Sequence, residues 1–273
     1  MVLPDVVLAF EMWPRLWGSG FLIIVCGVFS PACGAAWTLD EGQGQILAEA
    51  TYSHANHSFR DDTPVILDKL FIKDDYEYGF SDGVTLFSIP EYVSASVERA
   101  GVTLEAKQYA FSSGARVRLS DAFGQLSAQL SYAHVSAFTM TVAGDAAGGH
   151  EAELRLLYGT SYSVLQRDGF VDVEVGWRWN APPRPNEVVA DVTAGIWLWP
   201  DWLLMGQSFT IISAGYGEYP YTSYSLYKTQ MSLGWRVAPG LTLQIGAFLS
   251  PSGSHVAAER GLSAGVWYDL PAP

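Results

Sequence analysis

The chain has 273 residues, of which 49% are hydrophobic, 14% aromatic and only 16% charged. Soluble domains carry about 25% charged residues, so this surface is too poor in charge to lie wholly in water. The only long apolar run lies at residues 17–29, and no later run approaches the ~20 apolar residues that a transmembrane helix requires. The composition therefore excludes a helical membrane protein and favours membrane strands, in which every second residue faces lipid.

Residues 1–36 are predicted to be an export signal. The apolar segment 18–29 is followed by small residues at 34–36, which is the pattern of a secretory signal and its cleavage site. Two acidic residues stand in this segment before its single basic residue, Arg15, although the start of a signal is normally basic. We therefore expect translation to start at Met12.

Both cysteines, Cys26 and Cys33, lie within or beside this signal, so residues 37–273 are expected to form one domain without disulfides or thiolate metal sites. Lipid attachment at Cys33 is disfavoured, because Ser30 stands where an apolar residue is expected. The domain keeps 14 basic and 26 acidic residues, a net charge of −12. This acidity argues against nucleic acid as a partner, and no metal or cofactor motif is found.

Downstream of the signal, short runs alternate apolar and polar residues with a period of two, and clusters of Gly, Pro, Asp and Ser separate them. Near residue 175, the face with Val173 and Trp177 is apolar, whereas the face with Glu174 is charged. Trp and Tyr stand near strand ends, as in the aromatic girdles of membrane barrels, which favours a barrel over a soluble sandwich. Twelve strands are predicted at residues 44–54, 68–80, 83–92, 104–119, 124–135, 149–162, 168–180, 187–198, 202–214, 223–237, 241–250 and 259–270.

The predicted connections alternate between tight turns and longer loops. Short periplasmic turns and longer external loops are typical of barrels with both termini in the periplasm. The sequence therefore predicts an all-β, antiparallel up-and-down transmembrane barrel of about twelve strands (10–14) in the bacterial outer membrane, surrounded by lipid and lipopolysaccharide. The longer loops are predicted at residues 55–67, 93–103, 136–148, 181–186, 215–222 and 251–258.

The last predicted strand carries a candidate assembly signal. Ser263 is followed by Gly265 and then by the apolar residues Tyr268 and Leu270. This spacing resembles the C-terminal β-signal that the barrel-assembly machinery recognises, so that machinery is the expected partner during biogenesis.

Charged residues of both signs are predicted to face the lumen. One interpretation is a structural network of ion pairs that plugs a narrow barrel, because an unpaired charge in a constricted site costs several kcal/mol. The other is a path whose charged rows select what passes. The predicted residues are Glu49, Lys73, Glu77, Arg116, Arg118, Glu151, Glu153, Arg155, Asp172, Glu174, Arg178, Asp191, Lys228 and Arg236.

The aromatic segment 216–224 contains Tyr216, Tyr219, Tyr221 and Tyr224. These rings are a candidate platform for stacking sugar rings at the cell surface. The competing interpretation is that they anchor the barrel at the membrane interface.

Five histidines fall at predicted loops or at the outer ends of strands, where a lipid-modifying hydrolase would hold its active site. The sequence has no Gly-x-Ser-x-Gly elbow and no calcium-loop pattern of acidic residues. A protein without catalytic residues is therefore expected, and the hydrolase remains the alternative. The histidines are His54, His57, His134, His150 and His255.

The first strands also resemble a known family. The run Ala36-Trp-Thr-Leu-Asp-Glu-Gly-Gln-Gly-Gln-Ile46 is similar to the opening of the XagA-like proteins, outer-membrane proteins found with exopolysaccharide and adhesin loci. The resemblance extends over residues 36–87 and implies a role in exopolysaccharide export, surface adhesion or biofilm formation, with a generic solute channel as the alternative. It is continued by Tyr52, Phe59, residues 71–73, residues 76–82, Thr85 and Leu86.

Overall fold

A computed structural model describes residues 36–59, 65–99, 101–137, 139–140, 148–218 and 222–270. Except for Ala36, the segment predicted as an export signal lies outside the described residues, as do Met12 and both cysteines. Within the described ranges, no helix is long and apolar enough to cross a membrane.

The described residues form a closed antiparallel barrel of twelve strands, which confirms the predicted fold. Twelve strands form the wall, each paired with the next wall strand along the chain, and β13 pairs back onto β1. The two-residue strand β6 is not one of them: it pairs only with β4, and β5 pairs with β7. The strands are β1 Gly44–Ala55, β2 Val65–Ser81, β3 Val84–Arg99, β4 Val102–Ser120, β5 Gln125–Val135, β6 Thr139–Met140, β7 Gly149–Val164, β8 Arg167–Asn180, β9 Glu187–Trp199, β10 Trp202–Ser213, β11 Ser225–Ala238, β12 Leu241–Ser254 and β13 Arg260–Leu270.

The barrel is inverted relative to a soluble protein, with apolar side chains outside and polar side chains inside. On β8, Val175 and Trp179 are about half exposed, whereas Asp172, Glu174 and Arg178 are buried. The same alternation recurs on the other strands, and the exposed residues include Leu130, Leu156 and Ile245. A water-facing wall of this kind would be unstable, because apolar surface contributes to stability only when it leaves water. The outer wall is therefore a lipid-facing belt.

The two ends of the barrel differ in their connections. One end carries the short turns, such as those at Asp82–Gly83 and Leu165–Gln166, together with the start of β1 and the end of β13; we call it the turn end. The opposite end carries the longer segments and is called the loop end. Short turns lie on the periplasmic side of outer-membrane barrels.

One predicted loop is wrong. Residues 93–103 do not form a long connection, because β3 continues to Arg99 and β4 begins at Val102, with the two strands paired throughout. In this extension odd-numbered residues still point inward, but the polarity of the two faces is reversed. The apolar residues Val93 and Ala95 are buried inside, and Ser94 faces outward. The buried side chains pack in a cluster with Ala55, Leu67, Phe71 and Ala257. The reversal marks the place where the hairpin leaves the lipid and enters water.

Apolar clusters lie at both ends of the lumen, with polar residues between them. At the turn end, Leu203 and Met205 pack with Leu47 and Trp267. At the loop end, a second cluster comprises Val189, Ile211, Tyr224, Leu226 and Val256. The polar residues between these clusters form the candidate functional site.

Candidate functional site

The inner surface of β7, β8 and β9, which we call the charged wall, is centred on Arg155. Its Nη1 donates to Glu174 Oε2 at 2.8 Å and to Asp191 Oδ2 at 2.7 Å, and its Nε donates to Glu153. Gly176 lies opposite Arg155 in the β7–β8 register, and a Cβ there would come within 2.7 Å of Arg155 Cγ. Glycine at 176 thus gives the guanidinium room to reach three carboxylates on three strands.

A second guanidinium extends this network toward the loop end. Arg178 Nε donates to Glu153 Oε2 at 2.6 Å, and its Nη1 donates to Glu187 Oε2 at 2.7 Å. Glu187 also accepts the hydroxyl of Tyr224 from the apolar cluster. Every one of these side chains is buried, so dissolved salt screens the ion pairs little. Removing one partner would leave the other as an unpaired buried charge. The geometry of this wall supports the structural interpretation of the charges.

A second inner surface, formed by β10, β12 and β13, carries no buried charge in its described residues, and we call it the neutral wall; β11, which runs between β10 and β12, holds the buried Lys228. Among the described residues, no buried inward-facing side chain of these strands is charged. The polar members are amides and hydroxyls: Gln207, Ser213, Thr242, Gln244, Ser250 and Ser263. Gln244 Nε2 and Ser250 Oγ have no hydrogen-bond partner among the described residues, and neither has Ser232 Oγ on the intervening strand β11. The neutral wall therefore offers unoccupied donors and acceptors, whereas the carboxylates and guanidinium groups of the charged wall are bound to one another.

The turn-end half of the lumen is occupied by the segment that precedes β1, residues 36–43, which we call the N-terminal segment. Leu39 N donates to Thr85 Oγ1 at 2.8 Å, and Trp37 O accepts from Arg116 Nη1 at 3.0 Å. The Trp37 ring packs edge-on against Phe170, with centroids 6.3 Å apart. The segment thus lies inside the barrel as a partial plug.

These elements leave little free space in the charged half of the lumen. A cavity of roughly 20 Å³ lies beside Arg155 and Arg178, between the charged wall and Phe87. One water needs about 10–15 Å³ of such volume. This cavity therefore has room for one water and for no larger solute.

Inward-facing acids outnumber inward-facing bases in the described strands. The acids are Glu49, Asp75, Glu77, Glu91, Glu151, Glu153, Asp172, Glu174, Glu187 and Asp191. The bases are Lys69, Lys73, Arg116, Arg155, Arg178 and Lys228. The described inner surface therefore carries more carboxylates than basic groups.

Most of the predicted lumen residues lie in the interior. Arg116 Nη2 pairs with Glu77 Oε1 at 2.8 Å, and Lys73 Nζ lies 3.8 Å from Asp75. Glu49 faces inward on β1, and Lys228 Nζ lies 3.7 Å from the centre of the Phe248 ring.

Two predicted lumen residues need correction. Arg118 and Arg236 have the inward parity, but they are exposed and lie at the turn end. Arg236 stacks over Trp197 at 4.3 Å, while Arg118 lies beside the turn glycine Gly83. Both residues lie at the mouth of the barrel, because β4 and β11 extend beyond the buried part of the lumen at the turn end.

Sequence reasoning missed several interior charges. Asp75 and Glu91 are buried, and the parity of Lys73 and Glu77 on the same strand would have identified Asp75. Glu91 lies beside Pro90 near the end of the strand predicted at 83–92, at an inward position. Lys69 on β2 and Glu259, the residue before β13, form an ion pair at 2.7 Å. They meet only because β2 and β13 both pair with β1 when the barrel closes.

The candidate tyrosine platform is not assembled as expected. Tyr216 is exposed on the connection between β10 and β11, but Tyr224 is only 4% exposed and belongs to the loop-end cluster. Its hydroxyl is bound to Glu187, so its ring is not available to a saccharide at the surface. Tyr219 and Tyr221 lie outside the described residues.

The histidines do not form one group. His134 and His150 face outward on β5 and β7 with centroids 5.1 Å apart, and Tyr132 joins them through its hydroxyl, 2.6 Å from His150 Nδ1. His54 instead lies 3.0 Å from Asp68 on β1 and β2. His57 and His255 lie in two connections that hydrogen-bond to each other through Phe59 and Ala258. Within the described ranges, no cluster of three or more His, Cys, Asp or Glu residues suited to a metal ion occurs.

The candidate assembly signal lies in β13, the strand that closes the barrel against β1. Ser263 and Gly265 face the lumen, whereas Tyr268 and Leu270 face outward and are 44% and 40% exposed. The apolar side chains are thus accessible from the lipid side. Recognition by the assembly machinery stays a prediction.

The sequence matches no protein-family model and no curated protein. An outer membrane channel from Pseudomonas putida F1 is similar in structure, with a TM-score of 0.62 and 11% identity over 88% of this chain and 99% of that one. The translocator domain of the autotransporter NalP from Neisseria meningitidis has a TM-score of 0.54 and 11% identity, covering 84% and 89% of the two chains. The transport unit of the autotransporter AIDA-I from Escherichia coli has a TM-score of 0.54 and 9% identity, covering 96% and 97%. Together with the lipid-facing belt, these likenesses establish that the chain has the fold of a bacterial outer-membrane β-barrel.

Proposed function

We propose that the protein is a non-enzymatic outer-membrane barrel that takes part in the export or surface display of an exopolysaccharide, and thereby in adhesion and biofilm formation. The saccharide would pass through a narrow channel along the neutral wall. The resemblance of residues 36–87 to the XagA-like proteins supports the polysaccharide connection.

The observation that carries the proposal is the contrast between the two inner walls. The carboxylates and guanidinium groups of the charged wall are bound to each other, so few of them are free for a solute. On the neutral side, Gln244 Nε2, Ser232 Oγ and Ser250 Oγ are buried and have no partner among the described residues. Neutral donors and acceptors of this kind suit a polyhydroxylated chain, whose hydroxyls both donate and accept hydrogen bonds.

The charge of the lumen narrows the class of saccharide. Because inward-facing carboxylates outnumber inward-facing bases, a polyanionic chain would be repelled. Most of the bases are already held in ion pairs. A neutral or amine-bearing saccharide is the preferred solute. The N-terminal segment must move before a chain can enter from the turn end, so at rest the channel is closed to saccharide chains.

The test is the conductance of the refolded barrel in a planar bilayer, with neutral, amine-bearing and acidic oligosaccharides added on the turn-end side. We expect small, cation-selective conductance that neutral and amine-bearing oligosaccharides block and acidic ones do not. In Gln244→Leu, block should weaken by about tenfold, since one hydrogen bond to the saccharide contributes ~1 kcal/mol or more.

Gln166→Leu is the matched control, because Gln166 is an exposed amide in the turn between β7 and β8, outside the lumen and the N-terminal segment. It should leave block unchanged. A barrel that neither conducts nor binds any of the oligosaccharides would contradict transport. Conductance without any effect of oligosaccharides would indicate a generic channel for small solutes.

A further inference from the structure

The start of the N-terminal segment is held by the barrel as a ligand is held in a site. Ala36 is wholly buried. Its nitrogen donates to Asp172 Oδ2 at 2.7 Å, and its carbonyl accepts from Ser127 Oγ at 2.6 Å and from Gln125 Nε2 at 3.0 Å. Side chains of β5 and β8 thus hold Ala36 directly, and Arg116 on β4 holds the next residue, Trp37.

The glycine at 159 shapes the same site. A Cβ at this position would lie 2.6 Å from two atoms of the Trp37 ring and 2.8 Å from Ala36 Cβ. Glycine therefore permits the close approach of both residues to β7. The site is built for Ala36 and Trp37 together, with the nitrogen of Ala36 directed at a carboxylate.

The charge around this nitrogen calls for a cation. Glu174 stands two residues after Asp172 on the same inward face, and Arg155 is shared among Glu153, Glu174 and Asp191. Arg116, the other nearby base, pairs with Glu77. A neutral amide N–H offers Asp172 a single hydrogen bond, whereas an ammonium group would add a full positive charge and two further donors.

We infer that the exported chain begins at Ala36 and that its α-ammonium group is the buried counter-ion of Asp172. A signal peptidase would add water across the bond between Ala35 and Ala36. Ala35 would leave with a carboxylate, and the Ala36 amine would take up a proton. Small residues at 33 and 35 satisfy the small-x-small requirement at this bond.

Cleavage one residue later, after Ala36, fits the sequence pattern equally well but not the structure. It would remove the alanine whose nitrogen and carbonyl oxygen make three of the contacts that hold the segment. Removal of the leader therefore creates the charge that fastens the plug. This inference concerns maturation and closure and is independent of the solute proposed above.

The first experiment is N-terminal sequencing and intact mass measurement of the full-length gene product purified from outer membranes. The expected first residues are Ala36, Trp37 and Thr38. A chain that starts at Trp37, or that retains residues before Ala36, would overturn the inference.

The second experiment tests the ion pair by acetylation of amines at neutral pH, followed by mass spectrometry of the N-terminal peptide. In the folded barrel the α-amine should react at least about tenfold more slowly than in urea, whereas the exposed Lys107 should react at similar rates in both.

Asp172→Asn should speed labelling of the α-amine in the folded barrel by about tenfold, because it removes a charge-assisted hydrogen bond. Asp121→Asn, in an exposed turn at the same end, is the control and should change nothing. Equal labelling of wild type and Asp172→Asn would contradict the ion pair even if sequencing places the start at Ala36.

Discussion

The charged wall and the neutral wall both line the interior of the barrel, but their polar side chains are satisfied to different degrees. On β7–β9, carboxylates and guanidinium groups satisfy one another, and each loss leaves a charge buried. On β10, β12 and β13, amides and hydroxyls make few bonds and leave polar atoms unpartnered. The difference indicates that the charged wall provides the rigidity of the barrel, whereas the neutral wall is the side along which a solute can be accommodated.

The largest effect is expected at the centre of the charged wall. Arg155→Met removes the cation shared by Glu153, Glu174 and Asp191. Breaking a buried ion pair on one side typically costs about 3–5 kcal/mol. Urea unfolding of the barrel in lipid vesicles should therefore show a loss of that size.

Gln207→Met is the matched change on the neutral wall. Gln207 makes only long contacts, 3.4 Å to Thr193 Oγ1 and 3.4 Å to Gln230 Nε2. Its loss should cost about 1 kcal/mol or less, as is usual for a neutral hydrogen bond. Similar losses for the two variants would remove the distinction between the walls.

A second prediction concerns the plug. Gly159→Ala places a methyl group within 2.6 Å of the Trp37 ring, and overpacking of this kind costs about 1–3 kcal/mol unless the neighbour moves away. We expect the N-terminal segment to be displaced and the conductance in planar bilayers to rise.

Gly206→Ala provides the control, because Gly206 lies in a strand at a position where nothing is found within 4 Å of an added Cβ. Its conductance should equal that of the wild type. An unchanged conductance for Gly159→Ala would show that the segment does not limit flow through the lumen.

The smallest effect is expected at the loop end, where Lys69 Nζ lies 2.7 Å from Glu259 Oε1 and Ser53 Oγ lies 2.9 Å from Oε2. Burial by itself would raise the pKa of Glu259, but Lys69, Lys228 and the Ser53 hydroxyl outweigh it and lower the pKa below its ordinary value of 4.5. The stabilisation is thus complete above about pH 4.5 and is lost as the pH falls through the lower pKa of the folded state.

Thermal unfolding of wild type and Glu259→Gln should therefore differ at pH 7 and converge toward pH 3. Glu105→Gln, a change at an exposed carboxylate on β4, should unfold like the wild type at both values. A difference between wild type and Glu259→Gln that persists at pH 3 would show that Glu259 acts through packing and not through its charge.

Much of the barrel is predictable from the sequence because alternation is a local property. The period of two in residues 170–179 identified β8 and the inward direction of Asp172, Glu174 and Arg178, all of which the structure confirms. The same rule failed at residues 93–103, because there the alternation changes sign: Val93 and Ala95 are buried inside, and the serines face water.

The sequence by itself determined the number of strands, their mutual order and the side of the wall on which each residue lies, since each depends only on local periodicity and on turns. Only the tertiary structure decided which inward residues meet. Arg155 is shared by carboxylates on β7, β8 and β9, Lys69 reaches Glu259 across the closure, and Ala36 reaches Asp172 from 136 positions away. These contacts depend on strand register and on barrel closure, which bring together residues that are remote in the chain. A local sequence pattern therefore cannot predict them.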